Sequence, residues 1–131
     1  MANLGHDVPK PRFYVVLNAN PELDRKILMA YATSKVDERV RRAEKLRNPP
    51  HTIVVTGPEE YPGFSVRTAF DCNDLEAFGW NFVTESLQTG LAKLVEPVSP
   101  MLLERIKEGA HASREVSTAF KKLLQPPGPR D

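Results

Sequence analysis

Compact runs of β-branched and aromatic residues, each closed by turn residues, organise the first part of the chain. RFYVVLN (12–18) ends in the turn-rich NANPELD, and RKILMAYATS (25–34) follows at hairpin distance, which predicts two antiparallel strands. HTIVVT (51–56) reads as a third strand, GPEEYPG as a proline and glycine turn, and SVRTAFDC (65–72) as a fourth strand. NFVTESL (81–87) reads as a fifth, with TGLAKLVEP continuing the meander. Alternation along SVRTAFDC places Val66, Thr68, Phe70 and Cys72 on a core-like face, and Ser65, Arg67, Ala69 and Asp71 on the other.

Between the second and third strands the period changes. In KVDERVRRAEKLRN (35–48), Val36, Val40, Ala43 and Leu46 recur at spacings of four and three, a helical stripe with a charged opposite face. After Pro97, SPMLLERIKEGAHA opens with Ser99 as N-cap and Pro100 at the first helical position; Leu102, Leu103 and Ile106 form its apolar side and Gly109 is expected to end it. Ser113 is then expected to cap a last helix, REVSTAFKKLL, with Lys121 and Lys122 near its negative end. The pattern predicts an α+β fold: a small, strongly bent antiparallel sheet or partly open barrel, one inserted helix, and helices at the C-terminus. Residues 1–125 make one domain, and PPGPRD (126–131), without an apolar anchor, makes a flexible tail.

Composition adds little to that picture and removes several function classes. The chain has 131 residues, enough for one core, and its 18 basic against 17 acidic side chains give no global signal for a polyanionic partner. Only local charge can argue for nucleic acid. The single cysteine, Cys72, excludes an internal disulfide and suits a reducing, cytoplasmic setting. The start lacks the apolar stretch of a signal peptide, no run approaches the ~20 apolar residues of a membrane span, and membrane partners are not expected. His6, His51 and His111 are scattered, so no metal site is expected, and isolated glycines leave no phosphate-cradling loop; no cofactor is expected.

Three constellations carry candidate chemistry. Thr33 and Ser34 end the second strand, where hydroxyls either donate to a phosphate or cap the helix that follows. Arg67 and Asp71 share a strand face but stand ~13 Å apart along an ideal strand at about 3.3 Å per residue, so a bend or a bound substrate must join them. In the helix, Lys35, Arg39, Arg41, Arg42, Lys45 and Arg47 outnumber Asp37, Glu38 and Glu44; the face is either simply solvated, with Glu38 and Arg42 at pairing distance, or flanks a phosphate backbone. Trp80 and Tyr61 are either core and rim residues or surfaces for bases.

In order and spacing, KPRFYVVLN, the hairpin, ILMAYATSK, HTIVV, a glycine and proline turn, SVRTAFDCND and PVSPMLLERIKEGAHAS together resemble the MazF/PemK-type toxin family over roughly residues 10 to 124. The resemblance implies an SH3-like β-barrel that dimerises, and a metal-independent endoribonuclease that cuts single-stranded RNA as the toxin of a toxin–antitoxin pair, with a small antitoxin as partner. Lys10 and Pro11 then occupy the family's arginine-proline position, with Arg12 as an alternative basic group. Thr33 and Ser34 match its threonine-serine hydroxyls, and Arg67 and Asp71 fall in the strand that supplies its basic and acidic groups. Only about eleven residues precede the first strand, where the family has an extra strand and loop, and residues 35–48 are an insertion.

The implied chemistry assigns Asp71 as the base that takes the 2′-OH proton, Arg67 as the cation facing the phosphorane, and Thr33 and Ser34 as donors to its oxygens. Lys10, Arg12, Lys35, Arg39, Arg42 and Arg47 would hold the RNA backbone. A neighbouring arginine also lowers the basicity of an aspartate, so the same pair suits a structural ion pair. The alternative is a non-catalytic small-barrel module that binds protein or nucleic acid.

Overall fold

In the computed structural model, which describes residues 12–124, the first two expected strands form as β1 (Tyr14–Val16) and β2 (Lys26–Thr33), antiparallel, with Tyr14 opposite Tyr31 and Val16 opposite Met29. Their connection contains a one-turn helix, α1 (Pro21–Asp24), that starts on proline and ends at Arg25 in the left-handed region, φ 57°. Buried Asn18 fixes this turn. Its amide donates to Asp24 Oδ2 (2.9 Å) and the Lys26 carbonyl (2.8 Å), while its oxygen accepts from the Leu28 N–H (3.0 Å).

The inserted helix is present as α2 (Val36–Lys45), and a 3₁₀ turn (Pro50–Thr52) leads into β3 (Ile53–Thr56). SVRTAFDC contributes only β4 (Thr68–Asp71). It is followed by β5 (Glu76–Gly79), so the fifth strand precedes the segment expected to form it. NFVTESL is instead part of helix α3 (Trp80–Thr89), bracketed by Gly79 in extended backbone and by Gly90 at φ 86°. The phenylalanine, valine and threonine of that segment carry strand propensity; a left-handed glycine just past the last turn is a helix stop, and the tertiary setting overrides propensity. TGLAKLVEP continues no meander: beyond Gly90 it runs without regular structure to α4 (Pro100–Ala112).

Ser99 caps α4 as expected, its hydroxyl accepting from the Leu102 N–H at 3.1 Å. Gly109 does not end this helix. It lies inside it, buried, because a Cβ there would stand 2.8 Å from the His51 carbonyl oxygen and 2.9 Å from Cys72 Sγ: the glycine sets how closely α4 approaches the sheet. Ser113 is the C-terminal boundary residue of α4, and the last helix, α5 (Thr118–Leu123), is capped by Ser117.

The five strands make one antiparallel sheet in the order β1-β2-β4-β3, with β5 also on β2. Among the described residues β1 and β3 do not pair, so the sheet is open. Its inner face carries Leu17, Leu28, Ala30, Val54, Phe70 and Cys72 and is covered by Leu102, Ile106 and Ala110 of α4. On the outer face, α2 covers only the β3–β4 half, packing Val36, Val40 and Ala43 on Ile53, Val55 and Ala69. Both faces of β4 are therefore buried, and the expected solvent-facing polar side is roofed by a helix. Cys72 is fully buried, its thiol donating to the Ile106 carbonyl (3.3 Å) and pushed up to about 12, chiefly by burial and secondarily by Asp71.

Among the described residues β3 is an edge strand. Arg105 of α4 donates to its Val55 carbonyl at 3.0 Å and to Glu60 at 2.8 Å. No helix of the described residues is long and apolar enough to cross a membrane. Lys10 and the tail at 126–131 lie outside the described residues.

Candidate functional site

The site begins with a mismatch in strand length. β5 pairs with the first half of β2 up to Met29 opposite Glu76, and β4 with its end from Ala32 opposite Phe70. Between those pairs only Ala30 and Tyr31 face the whole stretch Asp71–Leu75, so the chain bulges outward. The bulge closes on itself: the Asn73 N–H donates to Asp71 Oδ1 (3.0 Å), and the Asp74 N–H to the Asp71 carbonyl (3.1 Å). Two carboxylates, Asp71 and Asp74, are thereby presented beside Tyr31, at the margin of the half-sheet that α2 covers.

Arg39, in the middle of α2, reaches across this seam. Its Nη1 donates to Asp71 Oδ2 (3.2 Å) and Asp74 Oδ2 (3.1 Å), and its Nη2 to the Tyr31 hydroxyl (3.0 Å). The Tyr31 hydroxyl in turn donates to Asp74 Oδ2 at 2.5 Å. The Arg12 guanidinium lies over the Tyr31 ring, 4.5 Å from its centroid, with that of Arg39 at 5.6 Å. Burial works against ionisation of Asp74, but the bonds from Tyr31 and Arg39, with the charges of Arg39 and Arg42, prevail and hold it below the ordinary aspartate range. Burial and the Asp74 bond push Tyr31 up despite the opposing Arg39. Arg39 loses by burial yet is held firmly charged by Tyr31 and the two aspartates.

The structure separates the expected catalytic pair. Asp71 is 4% exposed and bound to Arg39, whereas Arg67 is 61% exposed and meets Asp37 of α2 at 3.4 Å. Thr33 accepts a bond from the Lys35 N–H at 3.2 Å, the local role of a residue preceding a helix, and Ser34 is exposed beside it. Arg39 is enclosed among carboxylates rather than free for a phosphate, while Arg12, Lys35, Arg42 and Arg47 remain exposed. Arg42 lies one turn beyond Arg39 and its charge acts on Asp74, so it edges the same seam, while Lys35 stands just before the first turn of α2. Tyr61 is a core residue, packed at its edge on Phe13 and donating to the Glu96 carbonyl (2.6 Å). Trp80 starts α3, its backbone N–H donating to the Arg25 carbonyl.

Tyr31 and Asp74 were not legible as site residues. Tyr31 sits in a run that reads as uniformly apolar, and Asp74 in what reads as a plain turn. One signal was present: alternation along ILMAYAT sets Tyr31 on the face opposite Leu28 and Ala30, where a tyrosine needs a partner for its hydroxyl. Chemically, the seam gathers a phenol, a guanidinium and two carboxylates inside an exposed basic margin. Among the described residues no group of three or more His, Cys, Asp or Glu is placed to hold a metal ion. No family model, no curated protein and no solved structure matches the chain.

Proposed function

We propose that the protein binds single-stranded RNA along the seam between α2 and the half of the sheet face that α2 does not cover. The observation that carries this reading is the exposed basic margin of Arg12, Lys35 and Arg42 around the Tyr31–Arg39–Asp71–Asp74 cluster, in which Arg39 offsets part of the carboxylate charge. Arg39 offsets one of the two carboxylate charges, and the remaining negative charge stands against the three positive charges of Arg12, Lys35 and Arg42, so the margin is what a phosphate backbone would meet as net positive. Replacing Lys35 and Arg42 with alanine leaves the core untouched. It should weaken binding to all single-stranded sequences alike and flatten the dependence of log K on log salt by roughly 0.7 per lost phosphate contact. An unchanged slope would assign α2 to solvation.

Cleavage is the second reading, favoured by the chemistry gathered at one point. Arg39 and the Tyr31 hydroxyl are already bonded to the carboxylates, so the exposed Arg12 and Arg42 are the cations for a phosphorane, and Asp74 is an ionised acceptor for the 2′-OH proton, weak because its partners hold it ionised. On this reading RNA is cut without added metal to 2′,3′-cyclic phosphate ends, Asp74→Asn loses the rate by ~100-fold or more, and Arg67→Ala does not. Loss of activity in Arg67→Ala with Asp74→Asn intact would return the site to the strand pair of the sequence reading.

The family resemblance extends the proposal to a cytoplasmic toxin, a homodimer with a small antitoxin partner, and an SH3-like barrel. For the barrel, the support is that β2 serves two half-sheets at once, β1 and β5 along its first part and β4 at its end.

A further inference from the structure

The half of the outer sheet face that α2 leaves uncovered carries a line of aromatic rings that the cluster does not use. Tyr14 of β1 meets Phe78 of β5 edge to face (centroids 5.9 Å, 89° between planes), and Phe78 stacks on Phe82 of α3 (5.8 Å, 22°). Tyr14 is 40% exposed and Phe82 58%, so the outer two rings offer surface to solvent while Phe78 is wedged between them. The Tyr14 hydroxyl is fixed by Glu76 Oε1 at 3.3 Å. Guanidinium groups stand at both ends: Arg12 over Tyr31, next to Tyr14, and Arg25, whose Nη2 donates to Asn81 Oδ1 (3.1 Å) beside Phe82.

We propose that Tyr14 and Phe82, held apart by Phe78, form a platform on which two unpaired bases of a single-stranded RNA stack while its phosphates run past Arg12 and Arg25. This rests on the RNA-binding reading above and extends it from backbone to bases. Aromatic faces accept bases of any identity, which suits a surface with no built pocket for one of them. The Glu76 carboxylate within the strip repels phosphate, so the backbone is directed to the two arginine ends and the bases to the rings. Bases inside a duplex are stacked on one another and cannot each lie on a separate side-chain ring, so the ligand is a single strand.

The test compares a short oligouridylate with an abasic oligomer of the same length and backbone. Tyr14→Leu and Phe82→Leu keep apolar bulk without a ring; each should weaken oligouridylate binding roughly 5- to 150-fold, leave the abasic strand unaffected, and keep the salt slope of the wild type. Equal binding of oligouridylate by wild type and variants overturns the platform while leaving the RNA-binding reading in place. Equal losses for both oligomers, or variants that change the molecular mass in light scattering, also overturn it, the second by showing that the strip contacts protein. If the wild type binds neither oligomer, the RNA-binding reading fails and the platform with it.

Discussion

Arg39→Ala is expected to destabilise the fold by about 3–5 kcal/mol, the usual cost of leaving one member of a buried ion pair alone. Three acceptors depend on this one guanidinium: Asp71 Oδ2, Asp74 Oδ2 and the Tyr31 oxygen. Asp71, almost fully enclosed between α2 and the bulge, has nowhere to recover hydration. Lysine at position 39 keeps the charge but not the planar fork that serves three acceptors, so it should restore only part of the loss. The effect also carries a pH signature. Asp74 is held below its ordinary value of 3.8, burial opposing and its hydrogen bonds and cations prevailing. A lowered folded value gives stability that is present above the unfolded pKa and lost as pH falls. The gap between wild type and Arg39→Ala should thus be widest near neutrality and narrow on acidification through that value. Urea denaturation at several pH values reads both effects, and a loss under ~1 kcal/mol at neutral pH would mean that the seam is hydrated.

Gly109→Ala is expected to destabilise by about 1–3 kcal/mol, the cost of overpacking. The sign is the informative part, because alanine in place of an interior helical glycine ordinarily gains up to ~1 kcal/mol. Here the new Cβ would meet a backbone carbonyl, that of His51, at 2.8 Å, and a carbonyl in the tight turn before β3 cannot swing aside as a side-chain end can. Adding Cys72→Ala removes the second obstruction, Sγ at 2.9 Å, and should recover part of the loss, a coupling that distant sites would not show. A rise in the midpoint for Gly109→Ala alone would show that α4 can shift outward freely.

How far the chain could be read in advance follows from which signals are local. β1, β2, α2 and β3 each carry their own period within a few residues, and Ser99-Pro100 announces α4 from adjacent positions. The second half of SVRTAFDC misleads because alternation tells which residues share a face but not whether a helix lies over it. Arg67 falls just before β4 and stays exposed, whereas Asp71 at the end of β4 lies under α2, and that helix gives each a different partner, Asp37 and Arg39. β5 was hidden for a related reason. A strand of four residues following a bulge shows only two alternations, too few to stand out against the Phe–Val–Thr run just after it. The Tyr31–Arg39–Asp71–Asp74 cluster spans residues 43 apart in sequence and depends on the register offset between β4 and β5, a quantity that exists only once the strands have paired.

An edge strand such as β3 is where sheet proteins are exposed to association with other chains, since an incoming segment can continue the ladder. Arg105 donates into the outward Val55 carbonyl, and its charge is retained by Glu60, which is also bonded by Thr56. An intruding strand would have to evict a guanidinium from two acceptors before its first amide could pair. The apolar IVVT sequence of β3 carries no charge of its own, so the cation that guards this edge is lent by α4, a helix that lies elsewhere in the chain.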